Sequence, residues 1–142
     1  MTATIAVRRR IVGVAAGLAA ILLASIPALA ADPCESMVQS DLNECARADY
    51  RTADAALNAV YVQLMKKVGP KTKDALRAAQ KAWLSYRDAT CALETMGLEG
   101  GSAYPMELSG CLKGLTDART KALTAYLACK PDDVNCVGAF QE

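Results

Sequence analysis

The chain has 142 residues, 53 % apolar and 5 % aromatic, with sixteen basic residues against fifteen acidic and no histidine. That balance argues against nucleic acid as a partner. The missing histidine removes the commonest general base and the usual zinc arrangements, so no metal and no cofactor is expected.

Residues 1–30 read as an export signal. Arg8, Arg9 and Arg10 precede an apolar run from Ile11 to Ile26, and Pro27-Ala28-Leu29-Ala30 supplies a small-residue cleavage site, with cleavage expected after Ala30. The run is shorter than the about 20 apolar residues of a membrane span. Asp32 and Pro33 stand before Cys34 where a lipidation signal needs small residues, so no membrane anchor is expected after cleavage. Removal would take three basic residues and no acidic ones, leaving a net charge of about −2 and about 112 residues, a single domain spanning 31–142.

All six cysteines, Cys34, Cys45, Cys91, Cys111, Cys129 and Cys136, follow the cleavage site. An even count in an exported chain, with no Cys-x-x-Cys pair, points to three disulfides and a periplasmic or secreted location.

Three helical stripes follow. Leu42, Cys45, Ala46, Asp49, Ala53, Ala56, Leu57, Val60, Tyr61, Leu64 and Val68 recur at intervals of three and four until Gly69-Pro70 ends the first and opens the second, predicting a tight hairpin. The second stripe reads Leu76, Ala79, Trp83, Tyr86, Thr90, Leu93 and Gly97. Gly97, Gly100, Gly101 and Pro105 then predict a loop over 96–110. A third stripe, Leu112, Leu115, Arg119, Ala122, Leu123, Tyr126 and Leu127, starts after Ser109 as N-cap and ends before Pro131. No segment alternates as a strand does. The fold class is all-α, a small three-helix domain stapled by disulfides, with its core over about residues 34–127 and a tail over 128–142.

Bonded cysteines need Cα atoms within about 7 Å. Cys34 and Cys45 would stand roughly 16 Å apart on one straight helix, so their pairing demands a break near Gln39 and Ser40. Of fifteen possible pairings, Cys34–Cys45, Cys91–Cys111 and Cys129–Cys136 each close a junction between predicted elements. Catalytic machinery is not apparent: there is no Gly-x-Ser-x-Gly elbow and no phosphate loop, and Asp49, Asp54, Asp88, Glu94, Glu99 and Glu107 are scattered on helices. A binding or structural module is expected, not an enzyme.

Four pieces in this order and spacing carry a resemblance: Leu57-Asn58-x-x-Tyr61, then Gln80-x-x-Trp83-x-x-x-Arg87-Asp88-x-x-Cys91, then Cys111 after a glycine-containing loop, then Thr116-x-x-Arg119 with Leu123. They resemble the LprI-type lysozyme inhibitor domain over about residues 34–127. The resemblance implies an exported helical domain with disulfides among Cys34, Cys45, Cys91 and Cys111, and an inhibitor that binds lysozyme stoichiometrically and protects peptidoglycan. The missing lipidation signal and the Cys129–Cys136 tail depart from the founding pattern. The alternative is an interaction module for another envelope or secreted protein.

Gln80, Trp83 and Arg87 share one helical face with Leu76 and Thr90. That favours a scaffold role, with Arg87 laying its stem on the core and pairing with a carboxylate such as Asp54; the same holds for Asn58, Tyr61 and Arg119. The binding surface is then expected in the loop, where Leu98, Glu99, Tyr104, Met106 and Glu107 are the candidates.

Overall fold

Residues 32–130 are described by a computed structural model of the chain. The signal segment and Cys136, and with it the Cys129–Cys136 pairing, lie outside the described residues. Three helices, α1 (Gln39–Lys67), α2 (Pro70–Thr95) and α3 (Tyr104–Leu127), and two short 3-10 turns, Pro33–Glu35 and Met96–Leu98, make up the domain. Among the described residues there is no strand and no helix long and apolar enough to cross a membrane.

The chain enters through the expected break. Asp32 Oδ1 accepts the Cys34 N–H at 2.9 Å and Ser36 Oγ accepts that of Val38 at 3.0 Å, so the side chains hold a short turn before α1 begins at Gln39. This fold-back brings the Cα atoms of Cys34 and Cys45 to 5.1 Å, and the two are bonded. Helix α1 is alanine-rich, with Asp41 in its first turn and Lys66 and Lys67 in its last, both favourable toward the helix dipole. It ends at Val68 because the residue before a proline avoids the helical region; Gly69 is extended and Pro70 opens α2.

Helix α2 runs back antiparallel through this two-residue connection, as expected of a hairpin. Helix α3 then runs parallel to α1 and packs most closely against it. Lys67 closes the pair by donating to the Leu127 carbonyl at 2.6 Å, capping α3 from the end of α1.

Three expectations need correction. The loop predicted over 96–110 shrinks to 99–103, since Met96–Leu98 forms a 3-10 turn and α3 begins at Tyr104. Pro105 lies in the first helical turn, where its missing N–H costs nothing, and Ser109 is a buried residue inside the helix, not its cap. The reversal rests on Gly100, at φ +78°, where a side chain would be strained. The second stripe also divides: Leu76, Trp83 and Thr90 face inward, but Ala79, Tyr86, Leu93 and Gly97 are exposed. The buried face of α2 runs instead through Thr72, Leu76, Gln80, Arg87, Cys91 and Thr95. Apolar spacing alone missed it because most of that face is polar.

The apolar core lies toward the end where α1 meets α2. Leu57, Leu64, Val68, Leu76 and Leu123 are buried there, flanked by Val60, Tyr61, Met65, Trp83, Tyr126 and Leu127. Thr116 sits in the same interior, fully buried, with its hydroxyl unpartnered. An unmatched buried hydroxyl is destabilising, so Thr116→Val is expected to stabilise by about 1 kcal/mol and raise the melting temperature by roughly 4–8 °C. Calorimetry showing a lower melting temperature would mean that the hydroxyl is satisfied in solution.

Candidate functional site

The motif residues converge on one polar layer in the middle of the domain. Trp83 lies between two guanidinium groups, with Arg87 5.3 Å and Arg119 5.8 Å from its ring centroid, and Arg87 also lies 5.6 Å from the Tyr50 ring of α1. Arg119 Nε donates to Gln80 Oε1 at 3.1 Å. Arg87 Nε donates to Asp88 Oδ1 at 2.9 Å, and its Nη1 lies 3.6 Å from Asp54 Oδ1, the ion pair expected from spacing. Asp54 is held in turn by Asn58 Nδ2 at 2.9 Å. Burial pushes the Tyr50 phenol up, with Arg87 opposing and Asp54 and Asp88 adding to the rise. Tyr50 was not among the residues singled out from sequence, and its isolated position on α1 gave no motif to find it by.

These groups face one another across the interior. Gln80 and Arg87 are buried, Trp83 and Arg119 half-buried, and Asp88 exposed. Leu57 is in the apolar core, with Tyr61 half-buried beside it, Thr116 is fully buried and Asn58 stays at the surface. Beside the layer, an open groove of about 390 Å³ separates α1 from α2, lined by Asp54, Leu57, Asn58 and Tyr61 on one side and Arg77, Gln80, Lys81 and Leu84 on the other.

The loop candidates collect at the opposite end from the apolar core, where both disulfides lie. Cys91 and Cys111 are bonded with Cα atoms 5.7 Å apart, tying the end of α2 to the first turns of α3. The Cys111 sulfur lies 3.2 Å from a Glu94 carboxylate oxygen, a contact and not a hydrogen bond, because a disulfide sulfur has no proton to give. Asn43 Nδ2 donates to the Ser102 carbonyl at 2.9 Å, and Gln39 approaches the Met106 sulfur at 3.7 Å, so α1 holds the loop from below. Tyr104 and Met106 are half-buried by this packing, whereas Leu98, Glu99 and Glu107 are exposed. Met37, Val38 and Met96 add exposed apolar surface at the same end, Met37 being 96 % exposed. Met37 and Val38 precede the first stripe, so no periodicity marked them.

Charge divides along the bundle. Residues 32–52 and 83–115, the disulfide half, carry Asp32, Glu35, Asp41, Glu44, Asp49, Asp88, Glu94, Glu99 and Glu107 against Arg47, Arg51, Arg87 and Lys113. Residues 53–82 and 116–130 carry Asp54, Asp74 and Asp117 against Lys66, Lys67, Lys71, Lys73, Arg77, Lys81, Arg119, Lys121 and Lys130. Some acidic groups are neutralised locally, as where Arg51 and Arg47 hold the Glu44 carboxyl below its ordinary range. Glu99 and Glu107 belong to none of the ion pairs among the described residues. No cluster of potential metal ligands occurs among those residues.

The family model described as lysozyme inhibitor LprI matches residues 31–123. The chain belongs to the LprI lysozyme inhibitor family. An uncharacterized protein of Rhizobium meliloti (strain 1021) is similar, 41 % identical over 126 residues that take in 77 % of this chain and 91 % of the relative. No solved structure matches. LprI is a family of inhibitors and not of enzymes, and the motif residues Gln80, Trp83, Arg87 and Arg119 take part, in this chain, in the polar layer. Membership together with the disulfides points to a protein outside the cytoplasm.

Proposed function

We propose that this LprI-family protein is exported, to the periplasm or beyond, and inhibits lysozyme stoichiometrically without cofactor or chemistry of its own, protecting peptidoglycan from the enzyme. The docking surface is the disulfide-stapled acidic end. The observation that carries this reading is the pairing, at one end, of uncommitted carboxylates at Glu99 and Glu107 with exposed Leu98, Met96 and Met37. An apolar centre rimmed by negative charge complements a basic glycosidase, where opposite potentials steer association and fix the register.

The test is titration of the oxidised protein into a lytic assay with several lysozyme classes. Inhibition should saturate near one equivalent with a strongly basic lysozyme and weaken as salt rises. Changing Leu98 to alanine together with Glu99→Gln and Glu107→Gln should weaken inhibition by about tenfold or more, with the melting temperature held. No inhibition at micromolar excess favours the alternative, an interaction module for another envelope protein. Lysis by the protein itself would overturn the inhibitor reading altogether.

A further inference from the structure

The outward face of α2 serves no part of the core and meets the acidic end only at Met96. From Ala75 it steps by four and three in strict alternation through Ala79, Ala82, Tyr86, Ala89 and Leu93, and a last step of three reaches Met96. These are the apolar positions of a heptad repeat. All are exposed, Tyr86 at 58 % and Leu93 at 67 %. A solvated helix face normally carries charge, yet none of these positions does.

We infer that this face pairs antiparallel with the same face of a second copy of the chain, forming a reversible homodimer. Pairing about a twofold axis beside Ser85 and Tyr86 sets Ala82 against Ala89, Ala78 against Leu93 and Ala75 against Met96. Leu93 and Met96 then each meet an alanine, and the helices can approach closely on either side of the Tyr86 pair at the axis.

Charge selects the same direction. The first half of α2 is basic, with Lys71, Lys73, Arg77 and Lys81 against Asp74, whereas the second half carries Asp88 and Glu94 against the buried Arg87 and Glu99 follows it. Antiparallel pairing brings Lys81 to Asp88 of the second copy. The Asp88 side chain is 62 % exposed and open to such a partner. Parallel pairing would instead set like charge on like charge and alanine on alanine, leaving the alanine half unfilled. A single helix pair falls at the small end of interfaces, below about 1,200 Å², the size class of weak and transient association. Of the acidic end only Met96 enters the seam, and Leu98, Glu99, Glu107 and Met37 stay outside it, at opposite ends of the pair.

Sedimentation velocity on the purified oxidised protein from about 5 to 500 µM should show monomer converting to dimer. Ala82→Glu would bury a carboxylate at the seam and should lower the association constant about 100-fold, with helix content and melting temperature unchanged. Ser85→Cys, beside the axis, should form a covalent dimer under a glutathione redox buffer, whereas Ala75→Cys should not. A monomer at every concentration, a dimer indifferent to Ala82→Glu, or cross-linking through Ala75→Cys in preference to Ser85→Cys would each overturn the pairing.

Discussion

Replacing Arg87 with alanine is expected to destabilise the domain by about 3 kcal/mol and lower its melting temperature by roughly 12–24 °C. The residue is 7 % exposed and touches two aromatic rings of the polar layer, one close carboxylate and one more distant one. Its ion pairs are the smaller share, because Asp54 and Asp88 keep 40 % and 62 % of their side-chain surface in water and lose little when unpaired. Cation–π contact with the two rings and the buried stem are the larger share. Arg87→Met, which keeps the stem, should therefore cost about half as much, and Arg87→Lys should fall near it because a lysine keeps the charge without the broad guanidinium that reaches both rings. Denaturant melts rank the three variants. An alanine variant within about 0.5 kcal/mol of the parent would show that the layer does not hold the helices. Below the melting transition the methionine variant should inhibit lysozyme as well as the parent does. Lost inhibition with an intact fold would move Arg87 from scaffold to binding surface.

The same layer shows what the sequence could and could not reveal. Helical spacing put Gln80, Trp83 and Arg87 on one inward face, and Arg87 does pair with Asp54 across the hairpin. The stripe drawn through the apolar residues of the same helix turned outward at Ala79, Tyr86 and Leu93, because burial on α2 follows partners and not hydropathy. An arginine between two rings is as much an interior residue as a leucine, but no scale of single residues says so. Junction geometry fared better. Cys34–Cys45 and Cys91–Cys111 bond as sequence proximity and element boundaries require. Where glycine and proline were read as loop, context decided otherwise: Pro105 suits a first helical turn as well as a turn between helices, and the residues around it supply a helix. The acidic end was legible only in part, since Glu99 and Glu107 stood out in the loop, but the separation of charge along the bundle needs the helices laid side by side.

Removing the Cys91–Cys111 bond by changing both residues to alanine should cost about 3 kcal/mol, the chain-entropy value for a loop of this length, and lower the melting temperature by roughly 12–24 °C. The bond closes twenty residues, against eleven for Cys34–Cys45, a difference of about 0.5 kcal/mol in loop entropy. Position widens the gap. Cys91 is fully buried and its bond joins two helices of the bundle, whereas Cys34 is exposed on a short turn outside it. Accessibility to an attacking thiolate should follow the same order, so graded reduction with alkylation and peptide mapping should label Cys34 and Cys45 before Cys91 and Cys111. The inhibitory surface gives the bond a second consequence. Glu99 and the first turn of α3 are held between its two ends, and a surface already fixed loses less conformational entropy on docking. The double-alanine variant, assayed well below its melting temperature, should therefore inhibit more weakly than the parent, while the variant lacking Cys34–Cys45 keeps more of its activity. Equal inhibition by both variants would mean that the enzyme is met elsewhere on the molecule, and the acidic end would lose its assignment.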